Sequence, residues 1–282
     1  MSAVTEHRRL AVRIAYGITG SWADAEEIAQ EAMLRVLQAD DVRDERALLA
    51  RVATNLSLDR LRRRARVEYV GPWLPEPVAT GPGADEAVAR AEEVELALMI
   101  VLQSLSPVER ATLLLHDVFG FSHEEVAQML GRTPAAVRQS ARRARAAAAA
   151  RRPRFAHTDA DARALIERFT AAVMEGDVER LVSLLTADAT LVTDGGGKVS
   201  AALRPVQGAD AVARFLVGLA SKFAGRVAVA PLELNHATAI GVLLDGQLDQ
   251  VQWLGTEEGR ISAIRILRNP DKLGQAAGAL AR

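Results

Sequence analysis

With 282 residues, 49% hydrophobic and 25% charged, the chain has length for about two domains and enough apolar side chains to fill their cores, which excludes wholesale disorder. It contains no cysteine, which excludes disulfides, thiolate metal sites and a cysteine nucleophile and suits a reducing cytoplasm. The net charge of −1 conceals a segregated pattern. Arg60, Arg62, Arg63, Arg64 and Arg66 form one basic cluster, and Arg132, Arg138, Arg142, Arg143, Arg145, Arg151, Arg152 and Arg154 form a second, while acidic residues gather at 24–31 and 92–95. Such local concentrations of positive charge are what a phosphate backbone responds to. The N-terminal stretch lacks a signal-type apolar core, and no apolar run approaches bilayer length, so a cytoplasmic protein is expected.

Residues 6–66 carry a helical pattern. Leu10, Ile14 and Ile18 repeat at helical spacing, and Gly20 ends that helix. Ser21 caps the next helix with Asp24 as its capping-box acid, and the helix runs from Trp22 to about Gln38. Its apolar side is expected to be Ile28, Met33, Leu34 and Leu37, opposite an acidic side of Asp24, Glu26, Glu27, Gln30 and Glu31. After a polar stretch at 39–46, a third helix from about Ala47 to Arg66 should turn Leu48, Val52, Leu56 and Leu61 inward.

Residues 68–85 are rich in Pro and Gly and cannot be helical, yet they include Trp73 and Leu74, which suggests a segment that docks on something. Helical pattern returns over 86–150, with Val94, Leu98, Val101, Leu102 and Leu105, a helix start at Ser106-Pro107, and Leu113–115. A helix-turn-helix follows. Ser122 and Glu125 form a capping box, Gly131 stops the helix, and Thr133-Pro134 starts the second, with Val126, Leu130 and Val137 between them. Arg138, Gln139, Arg142 and Arg143 then project as side chains suited to phosphates and purine edges.

From about residue 155 the character changes to α+β. Helices are expected at 159–176, 178–185 and 210–223. Strand-like sequence is expected at 189–194, 195–208 and 226–268, and the turn pairs Asp245-Gly246 and Glu258-Gly259 fall in the last of these. Two or three helices packed on a curved antiparallel sheet is the expected arrangement.

The first half of the chain resembles the extracytoplasmic-function sigma factors of bacterial RNA polymerase. GSWADAEEIAQEAMLRVLQ (residues 20–38) is similar to their region 2 polymerase-binding helix. RALLARVATNLSLDRLRRRAR (46–66) is similar to their −10-reading helix, and LSPVERATLLLHDVFGFSHEEVAQMLGRTPAAVRQSARRAR (105–145) to region 4, which reads the −35 element. The second half resembles the SnoaL-like cone carried by one subgroup of these factors, whose marks are WLPEP (73–77), DGGGKV (194–199) and NPDKL (269–273).

The resemblance implies a multidomain fold: region 2 as three helices over 1–67, a linker over 68–85, region 4 over 86–154, and an α+β SnoaL-like regulatory domain over 155–282. It implies core-polymerase binding through Asp24, Glu27, Gln30, Glu31 and Arg35. A flipped −10 base would be received by the loop at 39–46 and contacted by Asn55, with Arg60, Arg62 and Arg63 on phosphates. Arg138, Gln139, Arg142 and Arg143 would contact the −35 element. Many relatives carry a basic residue where Ser140 stands here, which separates this chain from their base preference. A regulatory interface would involve Trp73, Leu74, Pro75, Asp194, Gly195, Gly196, Gly197, Lys198, Asn269, Pro270 and Asp271. The implied partners are core RNA polymerase and promoter DNA, with no membrane, no separate anti-sigma protein and no cofactor.

A SnoaL-like cone can also hold a small hydrophobic ligand or catalyse, and catalysis needs an acid or base facing the cavity. Asp194, His236, Asp245 and Asp249 are the candidates, with His236 expected in a strand, and they form no paired constellation. DGGGKV lacks phosphate-loop spacing, and the histidines His7, His116, His123, His157 and His236 lack metal spacing. The expectation is therefore not an enzyme. The competing readings are an isomerase- or hydrolase-type enzyme fused to a DNA-binding module, and a small-molecule sensor.

Overall fold

A computed structural model describes residues 3–66, 68–80, 96–151 and 160–280. Arg66 is within it. Arg152 and Arg154, the acidic run at 92–95 with Val94, His157, linker residues 81–85 and the boundary near Phe155 lie outside the described residues. The chain divides into two compact units: residues up to 68 with those from 98 to 152, and residues 69–97 with those from 153 onward.

The first unit is helical: α1 (Ala3–Thr19), α2 (Trp22–Leu37), α3 (Glu45–Arg64), α4 (Leu96–Gln103), α5 (Pro107–Leu113), α6 (His123–Leu130) and α7 (Pro134–Arg151). A π-helical turn, Leu114–Val118, continues α5. Ser21 caps α2 by accepting from the Asp24 amide. The Asp24 carboxylate does not complete a capping box, because it turns to Arg60 and Arg64 on α3.

Two helix faces differ from expectation. On α2 the buried residues are Trp22, Asp24, Ala25, Ile28, Ala29, Ala32 and Val36, while Leu34 is 54% and Leu37 is 73% exposed. On α3 the buried stripe is Leu49, Ala50, Ala53, Thr54, Ser57 and Leu58, with Leu48, Val52, Leu56 and Leu61 only half-buried. In both cases small side chains allow close helix approach. Packing therefore selects the alanine-rich face over the one with the largest apolar residues.

Contacts from region to region within this unit are specific. Arg110 on α5 donates from Nη1 to the Ile18 carbonyl at the end of α1 (2.6 Å). Burial pushes the pKa of this guanidinium down to about 10. Arg46 at the start of α3 donates to the Phe119 carbonyl (2.8 Å) and lies 4.2 Å from the Phe121 ring centroid. A Cβ on Gly17 of α1 would lie 2.8 Å from Leu114 Cδ1, so a larger residue there would require the Leu114 side chain to shift.

The second unit is α+β. It comprises α8 (Ala160–Glu175), α9 (Val178–Leu184), β1 (Leu185–Asp194), β2 (Val206–Gln207), α10 (Ala209–Lys222), β3 (Val227–Leu234), β4 (Ala237–Leu244), β5 (Gln247–Glu257), β6 (Arg260–Leu267) and α11 (Gly274–Leu280). The six-stranded sheet has the order β2-β1-β6-β5-β4-β3. It is mixed rather than wholly antiparallel, because β1 pairs parallel to β6. Register shifts interrupt the β1–β6, β4–β5 and β5–β6 pairs, and such bulges bend a sheet. Turns at Asp245-Gly246 and Glu258-Gly259 stand where the sequence indicated, both with positive φ.

Three expectations fail here. His236 is not in a strand but in the β3–β4 turn with Asn235, both at positive φ. Residues 195–205 form turns rather than strand, leaving only Val206–Gln207 paired, because the glycine run takes left-handed conformations at Gly196 and Gly197. The α11 helix has no counterpart among the expected elements. The core lies between α8–α10 and one sheet face, through Leu165, Phe169, Leu181, Leu216, Leu254 and Ile264.

Candidate functional site

In the second unit, residues 74–79 are all buried and lie along the sheet domain as a strap. The Val78 amide donates to Asn235 Oδ1 (3.0 Å), and the Asn235 amide donates back to the Val78 carbonyl (2.8 Å). Ala79 bridges Leu234 antiparallel, and the Thr80 amide donates to the Glu233 carbonyl (3.1 Å). The strap thus adds a short stretch of strand to the end of β3, an edge of the sheet.

Its other end meets Asp194, the last residue of β1, whose exposure is 0%. Asp194 Oδ2 accepts from the Leu74 amide (2.8 Å) and from Lys272 Nζ (2.7 Å); Oδ1 accepts from Tyr69 Oη (2.5 Å) and from the Gly196 amide (3.0 Å). Lys272 Nζ also donates to the Leu74 carbonyl (2.7 Å) and sits 3.9 Å from the Trp73 ring centroid. Asn269 Nδ2 donates to Tyr69 Oη (3.0 Å). A buried carboxylate is stable only when its oxygens are satisfied, and two of the four donors to this one, Tyr69 and Leu74, come from the connector.

The glycines have a steric reason. Gly196 is left-handed and any Cβ there would collide with the Asn269 amide, while one on Gly197 would lie 3.0 Å from Val70 Cβ. Lys198 pairs with Asp271 at the surface, and Pro270 opens the short 3-10 turn that carries Asp271 and Lys272. The structure therefore brings Trp73, Leu74, Asp194, Gly196, Gly197 and Asn269 together. Tyr69, Asn235 and Lys272 were missed by sequence reasoning. Lys272 was already inside NPDKL, and the signal overlooked was that a buried carboxylate needs a cation.

In the first unit the residues assigned to polymerase and DNA divide. Asp24 is buried rather than on the exposed acidic side. It holds Arg60 (2.5 Å) and Arg64, and Arg60 also pairs with Glu27 (2.8 Å). The hydrogen bond that Arg60 donates to Glu27 leads the causes that raise the Arg60 pKa. Glu27, Gln30, Glu31, Leu34 and Leu37 form an exposed stripe on α2, with Arg35 paired to Glu31 (2.9 Å). Asn55 and Arg63 are exposed on α3, and Arg62 is paired with Asp59 (2.5 Å). The loop at 39–44 and Arg51 line a cleft whose other wall is Glu125, Gln128 and Met129 of α6.

In the helix-turn-helix both cap groups of α6 are made, and Gly131 is left-handed at its end. Arg138, Gln139 and Arg142 are exposed on α7, with Arg138 3.9 Å from Glu124. Arg143 is turned to Glu109 (2.9 Å). Ser140 is buried, so its side chain faces the core and not a DNA groove.

Three of the four acid–base candidates are held in pairs: Asp194 is in the strap clamp, Asp245 pairs with Arg226, and Asp249 is bidentate to Arg268 (2.9 and 2.8 Å). The His236 backbone amide donates to Thr80 Oγ1 (2.9 Å), while its ring Nε2 is buried with no hydrogen-bond partner among the described residues. Among the described residues no His, Asp or Glu group is arranged to hold a metal. No described helix is long and apolar enough to cross a membrane.

Family models for Sigma-70 region 2 and Sigma-70 region 4 match residues 3–67 and 95–147. The chain is 39% identical to the ECF RNA polymerase sigma factor SigJ of Mycobacterium tuberculosis, covering 94% of this chain and 90% of that protein. It is 30% identical to the probable ECF RNA polymerase sigma factor SigI of the same species, covering 95% and 92%. The crystal structure of the Mycobacterium tuberculosis extracytoplasmic function sigma factor SigJ superposes with a TM-score of 0.77 at 34% identity, covering 96% of this chain and 97% of that one.

Proposed function

Given that this chain belongs to the ECF sigma factors of RNA polymerase, which bind core polymerase and promoter DNA and direct promoter-specific initiation, we propose that its α+β unit regulates initiation by gripping the connector between regions 2 and 4. The observation that carries this reading is the buried strap at 74–79, tied to Asp194, Asn235 and Lys272. Region 2 and region 4 must separate to reach promoter elements about 25 base pairs apart, roughly 85 Å at ~3.4 Å per pair. Held at both ends against the sheet, the connector has a fixed course and loses the freedom to lengthen or reorient with that separation. A gripped strap therefore restrains the open, promoter-spanning state, and its release permits it.

Core polymerase is assigned to the exposed α2 stripe of Glu27, Gln30, Glu31, Leu34 and Leu37, with Arg35 beside it. A mixed acidic and apolar stripe suits a basic partner surface with apolar sockets. Asn55 and Arg63, with Arg60 and Arg62 once released from their carboxylates, are assigned to the −10 strand. Arg138, Gln139 and Arg142 are assigned to the −35 groove, and Arg143 to its phosphates. The grip supplies in one chain what a separate anti-sigma protein would supply, so none is required. The protein acts in the cytoplasm, where the polymerase is, and the α+β unit performs no turnover: its three candidate carboxylates are committed to structural pairs, and His236 has none of them beside it as an acid–base partner.

Run-off transcription with core polymerase at limiting concentration tests this. Trp73→Ala and Lys272→Met should raise promoter-specific transcript. Arg138→Ala with Arg142→Ala should abolish it, and Leu34→Ser with Leu37→Ser should weaken polymerase binding at unchanged stability. Unchanged or reduced transcript from both strap variants overturns the restraint. Transcript unaffected by the α7 changes overturns the −35 assignment.

A further inference from the structure

Helix α1 ends on carbonyls with no basic side chain of its own in the last turn. Cations from distant sequence fill that place. Arg64 of α3 donates to the Thr19 carbonyl (3.3 Å), and Arg110 of region 4 donates to that of Ile18 (2.6 Å). Arg110 is 5% exposed, its Nη2 donates to the Leu105 carbonyl (3.4 Å), and no carboxylate among the described residues pairs with it. An ionised group enclosed with carbonyls alone is poorly compensated for its lost hydration. A permanent interface would be better served by an apolar side chain. An arginine suits an interface that opens, because it regains its water when the two surfaces part.

Arg46 stands in the first turn of α3, where a cation opposes the helix dipole, so α3 itself gains nothing from it. Its partners are in region 4: the Phe119 carbonyl (2.8 Å) and the Phe121 ring (4.2 Å to the centroid). Arg13 of α1 lies 5.1 Å from the Phe119 ring centroid, and Leu114 closes on Gly17. The same packing sets the loop at 39–44, where the resemblance implies a flipped −10 base, across a cleft from Glu125, Gln128 and Met129 of α6. A carboxylate on that wall repels a phosphate backbone.

We propose that regions 2 and 4 latch directly onto each other, with Arg110 and Arg46 as the latch residues, and that core polymerase must part them to bind. Polymerase then selects the open state, and its apparent affinity falls by the fraction of chain that is closed. The latch lies wholly within the helical unit. It goes beyond the strap reading, and either can fail alone.

The chain has no cysteine, so Gln38→Cys and Ala146→Cys, at exposed sites in regions 2 and 4, allow two spin labels to be placed on the full chain. Double electron–electron resonance should give a narrow distance distribution with the latch intact. Arg46→Ala with Arg110→Ala should give a broad one reaching longer distances, and about tenfold tighter binding to core polymerase. Arg46 is exposed, so Arg46→Ala alone should keep the helical circular dichroism and shift both readouts the same way by less; it decides the matter if the double variant unfolds. Hydrogen-exchange protection at residues 74–79 should be unchanged in Arg46→Ala. An unaltered distance distribution, polymerase binding that is unchanged or weaker, or loss of protection at 74–79, which would route the effect through the strap, would each overturn the latch.

Discussion

Asp24 in the helical unit and Asp194 in the sheet unit each gather partners from distant sequence, but in different surroundings. Asp24 retains 12% side-chain exposure, and its partners Arg60 and Arg64 retain 25% and 36%. Asp194 is fully enclosed and Lys272 nearly so, at 0% and 10%. A partly wet pair can dissolve into water when a better partner arrives, which is what a phosphate would be to Arg60. An enclosed pair cannot be opened without stranding a charge. The first unit thus holds its arginines on loan to its own acids, and the second locks its strap with a clamp that must come apart as a whole.

The largest effect should come from breaking the enclosed pair. Asp194→Ala strands the Lys272 ammonium and removes the acceptor for Tyr69, Leu74 and Gly196. It should destabilise the sheet unit by about 3–5 kcal/mol in urea unfolding and release hydrogen-exchange protection at residues 74–79. Lys272→Met should lose less stability, because charge and partner leave a carboxylate still bonded by Tyr69, Leu74 and Gly196. Equal protection of the strap in Asp194→Ala would show that the backbone pairing at Val78 and Thr80 alone holds it.

Next, Gly196→Ala should cost about 2 kcal/mol, since it combines a left-handed backbone with a collision at Asn269. Gly246→Ala, which meets nothing, isolates the backbone part and should cost less. Asp24→Ala should cost about 1 kcal/mol, and that loss should shrink in high salt, where the loss from Asp194→Ala persists. A salt-independent loss at Asp24 would remove the contrast between the two carboxylates.

The smallest effect is a pH dependence of the helical unit. The Glu125 carboxyl is held below its ordinary range chiefly by the Ser122 amide, and that of Glu109 chiefly by the Ser106 side chain. Their folded-state pKa values are depressed, so their stabilisation is complete above the ordinary carboxylate value of 4.5 and is lost as pH falls through the lowered ones. Thermal unfolding followed from pH 7 downward should show this loss, and Glu125→Ala should flatten it. An identical slope in the variant would place the acid sensitivity elsewhere.

The capping pairs Ser106–Glu109 and Ser122–Glu125, the Gly131 stop and the turns at Asp245 and Glu258 were legible because each is decided within four or five residues by local hydrogen bonding and φ. The motifs at 73–77, 194–199 and 269–273 marked a common surface, but not that a buried carboxylate and Lys272 sit at its centre. Leu34 and Leu37 looked like core and are exposed, and Asp24 looked like part of the exposed acidic side and is buried. In each case periodicity gives the helix, while the choice of face depends on what packs against it. The parallel pairing of β1 with β6 likewise joins residues some seventy apart, and no local preference encodes it. Sequence alone determined most of the elements, the two capping boxes at Ser106 and Ser122, and the family. Only tertiary structure decided which charges are enclosed, which leucines remain outside, and that the connector belongs to the sheet unit, because burial and pairing across long separations exist only once the chain has closed on itself.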